Sequence, residues 1–69
     1  MSPKNFMALL EKKKFIYKIT DSRLAQTVGV SERTFKRRKL NPGEFTFDEA
    51  EIIMKVLHFT PEERKEALL

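Results

Sequence analysis

Apolar residues along this chain recur at helical spacing and nowhere alternate with polar ones as a strand would. Phe6, Leu10 and Tyr17 share one stripe, with Leu9 and Ile16 beside it, and Lys13 interrupts that face. Ser2-Pro3 supplies a capping hydroxyl ahead of a proline at the first helical position, which predicts a helix to about Tyr17. Ile19-Thr20 ends it. Thr20 or Asp21 then caps a short helix over about 22–28 that buries Leu24, Ala25 and Val28. Gly29 offers the positive φ that a sharp helix exit needs, and Ser31 caps a third helix ending near Arg38 or Lys39, with Phe35 turned inward. Asn41-Pro42-Gly43 is a stop signal.

Two capping boxes follow. Thr46-Phe47-Asp48-Glu49 has the T-x-x-E form, with Phe45 before the cap and Ala50 at the staple position. The helix behind it carries Phe47, Ala50, Ile53, Met54 and Leu57 at helical spacing, widened by Ile52 and Val56, as for a central helix packed on several neighbours. Thr60-Pro61-Glu62-Glu63 repeats the device and starts a last helix at Pro61. The prediction is an all-α fold of five helices, one domain over 1–69.

Sixty-nine residues without cysteine bury a small core with no disulfide support. One histidine, His58, excludes a zinc-finger ligand set, and no metal or cofactor site is expected. The acidic groups Asp48-Glu49-Glu51 and Glu62-Glu63 sit in first helical turns, where capping accounts for them better than acid–base catalysis does. Met1, Met7 and Met54 are core or terminus positions. An enzyme is not expected. No apolar run approaches the roughly 20 residues of a membrane span, so no membrane partner is expected and the cytoplasm is the default location.

Charge sharpens the picture. Residues 1–40 carry 11 Lys/Arg against 3 Asp/Glu, and residues 41–69 carry 3 against 7. Such a dipolar chain can turn a basic side to a polyanion. Within Asp21–Leu40, two short helices joined by a glycine turn, the second one basic, have the layout of a helix-turn-helix that reads the DNA major groove.

Leu24-Ala25, Val28-Gly29-Val30-Ser31 and Phe35, within a five-helix succession, resemble the lambda-repressor/Cro-like (Xre) DNA-binding domains; NPGEFT before an acidic-apolar helix looks like small regulators of phages and mobile elements. The chain departs from that pattern in two places. Arg38 and Lys39 stand where the family usually has an apolar residue, so Leu40 is expected to take over the packing. His58 stands where the family often has glycine, and histidine tolerates the left-handed conformation better than most residues.

The resemblance implies a sequence-specific transcriptional regulator of double-stranded DNA, repressing or redirecting transcription as a homodimer with its third helix in the major groove. Carried over by position, the base contacts are Glu32, Arg33 and Arg37. Arginine suits guanine O6 and N7, and glutamate can accept from cytosine N4, although Glu32 also complements a helix N-terminus. Phosphate contacts are expected from Ser22, Ser31, Thr34, Lys36, Arg38 and Lys39. Dimer contacts are expected at the apolar end of the last helix, Ala67, Leu68 and Leu69. Two other functions fit the same scaffold: a protein-binding inhibitor or antirepressor, and an excisionase-like architectural DNA-binding factor.

Overall fold

The computed structural model describes residues 2–68. Among them the chain forms α1 (Pro3–Tyr17), α2 (Asp21–Val28), α3 (Glu32–Leu40), a 3-10 turn (Pro42–Glu44), α4 (Phe47–Val56) and α5 (Pro61–Leu68), with no strand. No described helix is long and apolar enough to cross a membrane.

The caps explain why the boundaries fall where they do. Hydroxyls of Ser2, Thr20, Ser31, Thr46 and Thr60 each accept the N–H three residues on, at 3.1–3.4 Å. Both capping boxes close: the Thr46 N–H donates to Glu49 Oε1 at 2.9 Å, and the Thr60 N–H to Glu63 Oε1 at 2.8 Å. Thr20, not Asp21, caps α2, which leaves the Asp21 carboxylate for other partners.

Three helices end alike. Lys18, Gly29 and His58 adopt left-handed φ values of 54°, 89° and 57°. The next residue in each case, Ile19, Val30 and Phe59, donates its N–H five residues back, to Lys14, Ala25 and Met54, at 2.9–3.0 Å. This closure satisfies carbonyls a helix end leaves open. The glycine announced it at Gly29 and the resemblance at His58; at Lys18 nothing did.

The core forms around a chain of aromatic rings. Phe35 of α3 meets Phe45 edge-on at 5.7 Å, Phe45 meets Phe6 of α1 at 5.8 Å, and Phe6 lies 6.3 Å from Phe59. Leu10, Leu24, Ile53, Met54 and Leu57 pack fully buried around them. Phe35 is thus the bolt that fixes α3 to the rest of the molecule. α1 also lies against α5, where the Ser2 N–H donates to the Ala67 carbonyl at 2.8 Å.

Four expectations change. Ala67 is wholly buried and Leu68 packs partly on the core, so these two offer no apolar dimer surface; Leu69 lies outside the described residues. The stripe of α1 stops at Lys13, which is itself buried and pairs with Glu63 at 2.8 Å below the Tyr17 ring. Beyond it Phe15, Ile16 and Tyr17 are exposed, Tyr17 lying against the His58 ring at 5.0 Å. On α4, Phe47 and Ile52 are also exposed, because the first turn and the far edge of that helix overhang the core. Finally Leu40, expected to pack inward, is 82% exposed.

Candidate nucleic-acid interface

α2 packs chiefly on α3, and the connection between them is only Gly29, Val30 and Ser31. So short a link holds two helices at a fixed angle only if the first can end abruptly. Gly29 allows this: its φ of 89° is a region that a Cβ strains, although open space surrounds it. Leu24 and Ala25 on one side and Phe35 on the other are buried at the crossing. The opposite face of α3 is therefore turned out of the molecule.

That face carries Glu32, Arg33, Lys36, Arg37 and Leu40, all exposed. Arg33, Arg37 and Leu40 stand at i, i+4 and i+7, one stripe along the helix. Lys36 pairs with Glu32 one turn back at 2.9 Å, and this contact holds the Glu32 carboxyl below its usual range. Of the three base-contact positions the resemblance implies, Arg33 and Arg37 make no ion pair among the described residues, whereas Glu32 is engaged.

The expected phosphate contacts divide differently. Ser22 is exposed in the first turn of α2, beside Asp21 and Ser22 backbone N–H groups that find no partner within the helix. Ser31 Oγ donates to Thr34 Oγ1 at 3.0 Å while accepting the Thr34 N–H at 3.1 Å, so both hydroxyls sit in the cap of α3. Arg38 and Lys39 turn the other way. The Arg38 guanidinium donates to Glu49 of α4, and Lys39 Nζ reaches Asp21 at 3.0 Å and Glu11 at 2.7 Å. Each is about four-fifths covered. They hold the end of α3 at the positions where the resemblance led to an apolar side chain being expected.

These contacts set the acidities. Burial raises the Asp21 carboxyl, but hydrogen bonds from Lys14 and Lys39 and their charges outweigh it, and the group lies below the ordinary carboxylate range. Burial likewise raises Glu49, and the Thr46 N–H and Arg38 pull it down further. Both carboxyls are therefore ionised at neutral pH.

Sorting the charges by partner shows where the field is uncompensated. Every acid in the first 40 residues is in an ion pair: Glu11 and Asp21 with Lys14 and Lys39, and Glu32 with Lys36. Lys4, Lys12, Lys18, Arg23, Arg33 and Arg37 have no acidic partner among the described residues. Arg23, on the third residue of α2, and Lys18, at the left-handed end of α1, were not singled out from the sequence. The basic balance of that half signalled their surplus, but only the pairing pattern says which cations carry it.

Beside α3 runs an open groove of roughly 760 Å³. Phe15, Ile16 and Ile19 give it an apolar floor, and Ser22, Glu32 and Lys36 form the wall on the side of α2 and α3. No group of three or more His, Cys, Asp or Glu among the described residues is arranged to hold a metal ion. Comparison of the chain with family models, curated proteins and solved structures finds no match.

Proposed function

We propose that this chain is a sequence-specific DNA-binding regulator of the lambda-repressor/Cro-like kind, with α3 as the helix that enters the major groove. One observation carries the reading. Arg33 and Arg37 project without partners from the free face of a helix fixed by its opposite face, while every nearby carboxylate is neutralised. A cationic stripe on a rigid helix suits a groove that offers guanine O6 and N7 acceptors. Leu40, last on the stripe, supplies an apolar contact for a deoxyribose or a thymine methyl.

In this reading Ser22, Thr34 and the free N–H groups of α2 position the backbone, with Lys36, Arg23 and Lys18 as the cations that neutralise phosphates. Arg38 and Lys39 act through the fold, as tethers of α3. Glu32 is held by Lys36 and discriminates bases only if that pair opens. Two copies on half-sites about 34 Å apart would occupy a near-palindromic operator. The reading of the chain as a protein-binding inhibitor draws on a different observation, the apolar groove beside α3.

Selection of binding sites from a random duplex pool, followed by anisotropy titrations, tests the proposal. Arg37→Ala should cost about 1–3 kcal/mol on the selected site and relax its base preference, whereas Arg23→Ala should weaken selected and random DNA alike. Affinity should fall with rising salt at a log–log slope of about −0.9 per phosphate contact. No enriched sequence, or a flat salt dependence, overturns it.

A further inference from the structure

The described chain leaves six large apolar side chains exposed, and three of them, Phe15, Ile16 and Phe47, stand at two places of opposite charge. The first is at the end of α1. Phe15 is 85% exposed, with Ile16 and Tyr17 next to it, and Phe15 and Ile16 line the apolar groove with half-buried Ile19. Lys12 lies three and four positions before Phe15 and Ile16, on the same helical face, and Lys18 lines the groove; neither has an acidic partner among the described residues.

The second place is the start of α4, where Phe47 is 60% exposed. Glu44, just before, and Asp48, just after Phe47, are exposed and make no ion pair among the described residues. The other two acids without partners, Glu62 and Glu66, also belong to the second half of the chain. One surface thus combines an apolar groove with free cations, and the other a protruding phenylalanine with free anions. The two remain exposed in a single copy, so neither covers the other within the chain.

We infer that the occupant of the groove is a second copy of this chain, with Phe47 of one copy seated on Phe15, Ile16 and Ile19 of the next, and Glu44 and Asp48 facing Lys12 and Lys18. Apolar surface of this kind, rimmed by charge, is a recognised mark of an association site. Opposite charges at the rim set orientation and encounter rate more than strength, and two side-chain clusters make a small, weak interface. The contact is heterologous: each copy offers a groove at one place and a knob at another. It needs no DNA. Because Ser22, Glu32 and Lys36 form one wall of the groove, a duplex and a second copy compete for it if the DNA reading holds.

Sedimentation equilibrium without DNA, up to about 1 mM chain, tests this with Phe15→Ser and Phe47→Ser, both checked for native circular dichroism. These residues are exposed, so both variants keep the fold. The wild-type chain should associate, and more weakly in 1 M salt than at low salt. Each variant alone should be monomeric, and an equimolar mixture of the two should recover a one-to-one pair, since each retains the half the other lacks. A monomeric wild-type chain overturns the inference. So does a variant that associates as the wild type does, because that requires a groove-to-groove or knob-to-knob contact. A mixture that stays monomeric overturns it as well.

Discussion

Glu49 is where the seating of α3 is most directly tested. Its Oε1 accepts the Thr46 N–H at 2.9 Å, and its Oε2 takes the Arg38 guanidinium. Glu49→Gln keeps an oxygen for the cap and removes the charge; Glu49→Ala removes both. The Thr46 N–H lies at the surface, where water replaces the lost acceptor, so that part costs about 0.5–1 kcal/mol. Arg38 and Glu49 keep 20% and 16% of their side-chain exposure. Such a pair falls between surface pairs worth under about 1 kcal/mol and buried ones whose rupture costs about 3–5 kcal/mol. Loss of its charge is therefore expected to cost about 1–2 kcal/mol. Glu49→Gln loses that amount and Glu49→Ala about 1.5–3 kcal/mol, a large part of the roughly 3.5–10 kcal/mol that a chain of this length commands. Thermal unfolding followed by circular dichroism should show a midpoint lower by about 4–8 °C per kcal/mol. A double-mutant cycle of Glu49→Ala with Arg38→Met isolates the pair, with an expected coupling near 1 kcal/mol. Should Glu49→Gln melt with the wild type and the cycle give additivity, Arg38 is no tether, and its place among the phosphate contacts is restored.

Acid should act through the same groups. The carboxyls of Asp21, Glu49 and Glu63 are lower in the folded chain than is ordinary, so their contribution is complete above about pH 4–5 and lost as pH falls through the folded values. Urea unfolding should show near-constant stability from pH 7 to about pH 5 and a decline below, and equal stability at pH 7 and pH 3 refutes the pairing. At the helix ends, Lys18→Gly should stabilise by about 0.5–1 kcal/mol by relieving a side chain at φ 54°. Gly29→Ala, at φ 89°, should destabilise by about 1–2 kcal/mol; chemical denaturation of the two variants should move in opposite directions.

The helix starts were legible because a cap is a local matter: a hydroxyl and an N–H three residues on suffice, and Ser2, Thr20, Ser31, Thr46 and Thr60 announce them. Gly29 was legible for the same reason, whereas His58 was reached only through the resemblance. Arg38 and Lys39 were not. Their partners lie 11, 18 and 28 positions away at Glu49, Asp21 and Glu11, and no periodicity tells a cation reaching solvent from one reaching a carboxylate. Once those pairs fill the seam, Leu40 has no space to claim, which is why it stays outside. Lys13 shows the converse. A lysine within an apolar stripe reads as a flaw, yet Glu63 completes a capping box and supplies its counter-charge with one carboxylate. Of the outward face, the identity of Arg33 and Arg37 was legible; that Glu32 is held by Lys36, and that Arg23 and Lys18 are free, required the pairing pattern.

The two tethers of α3 also bear on how this chain can change over generations. A seam closed by an apolar residue tolerates Leu, Ile, Val or Met one substitution at a time. A seam closed by Arg38 with Glu49 does not, since either single change leaves a largely covered charge alone. Lys39 and Asp21 are buffered, because Glu11 also holds Lys39 and Lys14 also holds Asp21. Positions 38 and 49 are therefore bound to drift as a pair. Homologues that share the fold should carry either both charges or two uncharged residues there, with mixed combinations rare. This paired signature offers a way to recognise distant kin that residue-by-residue likeness along the helices does not.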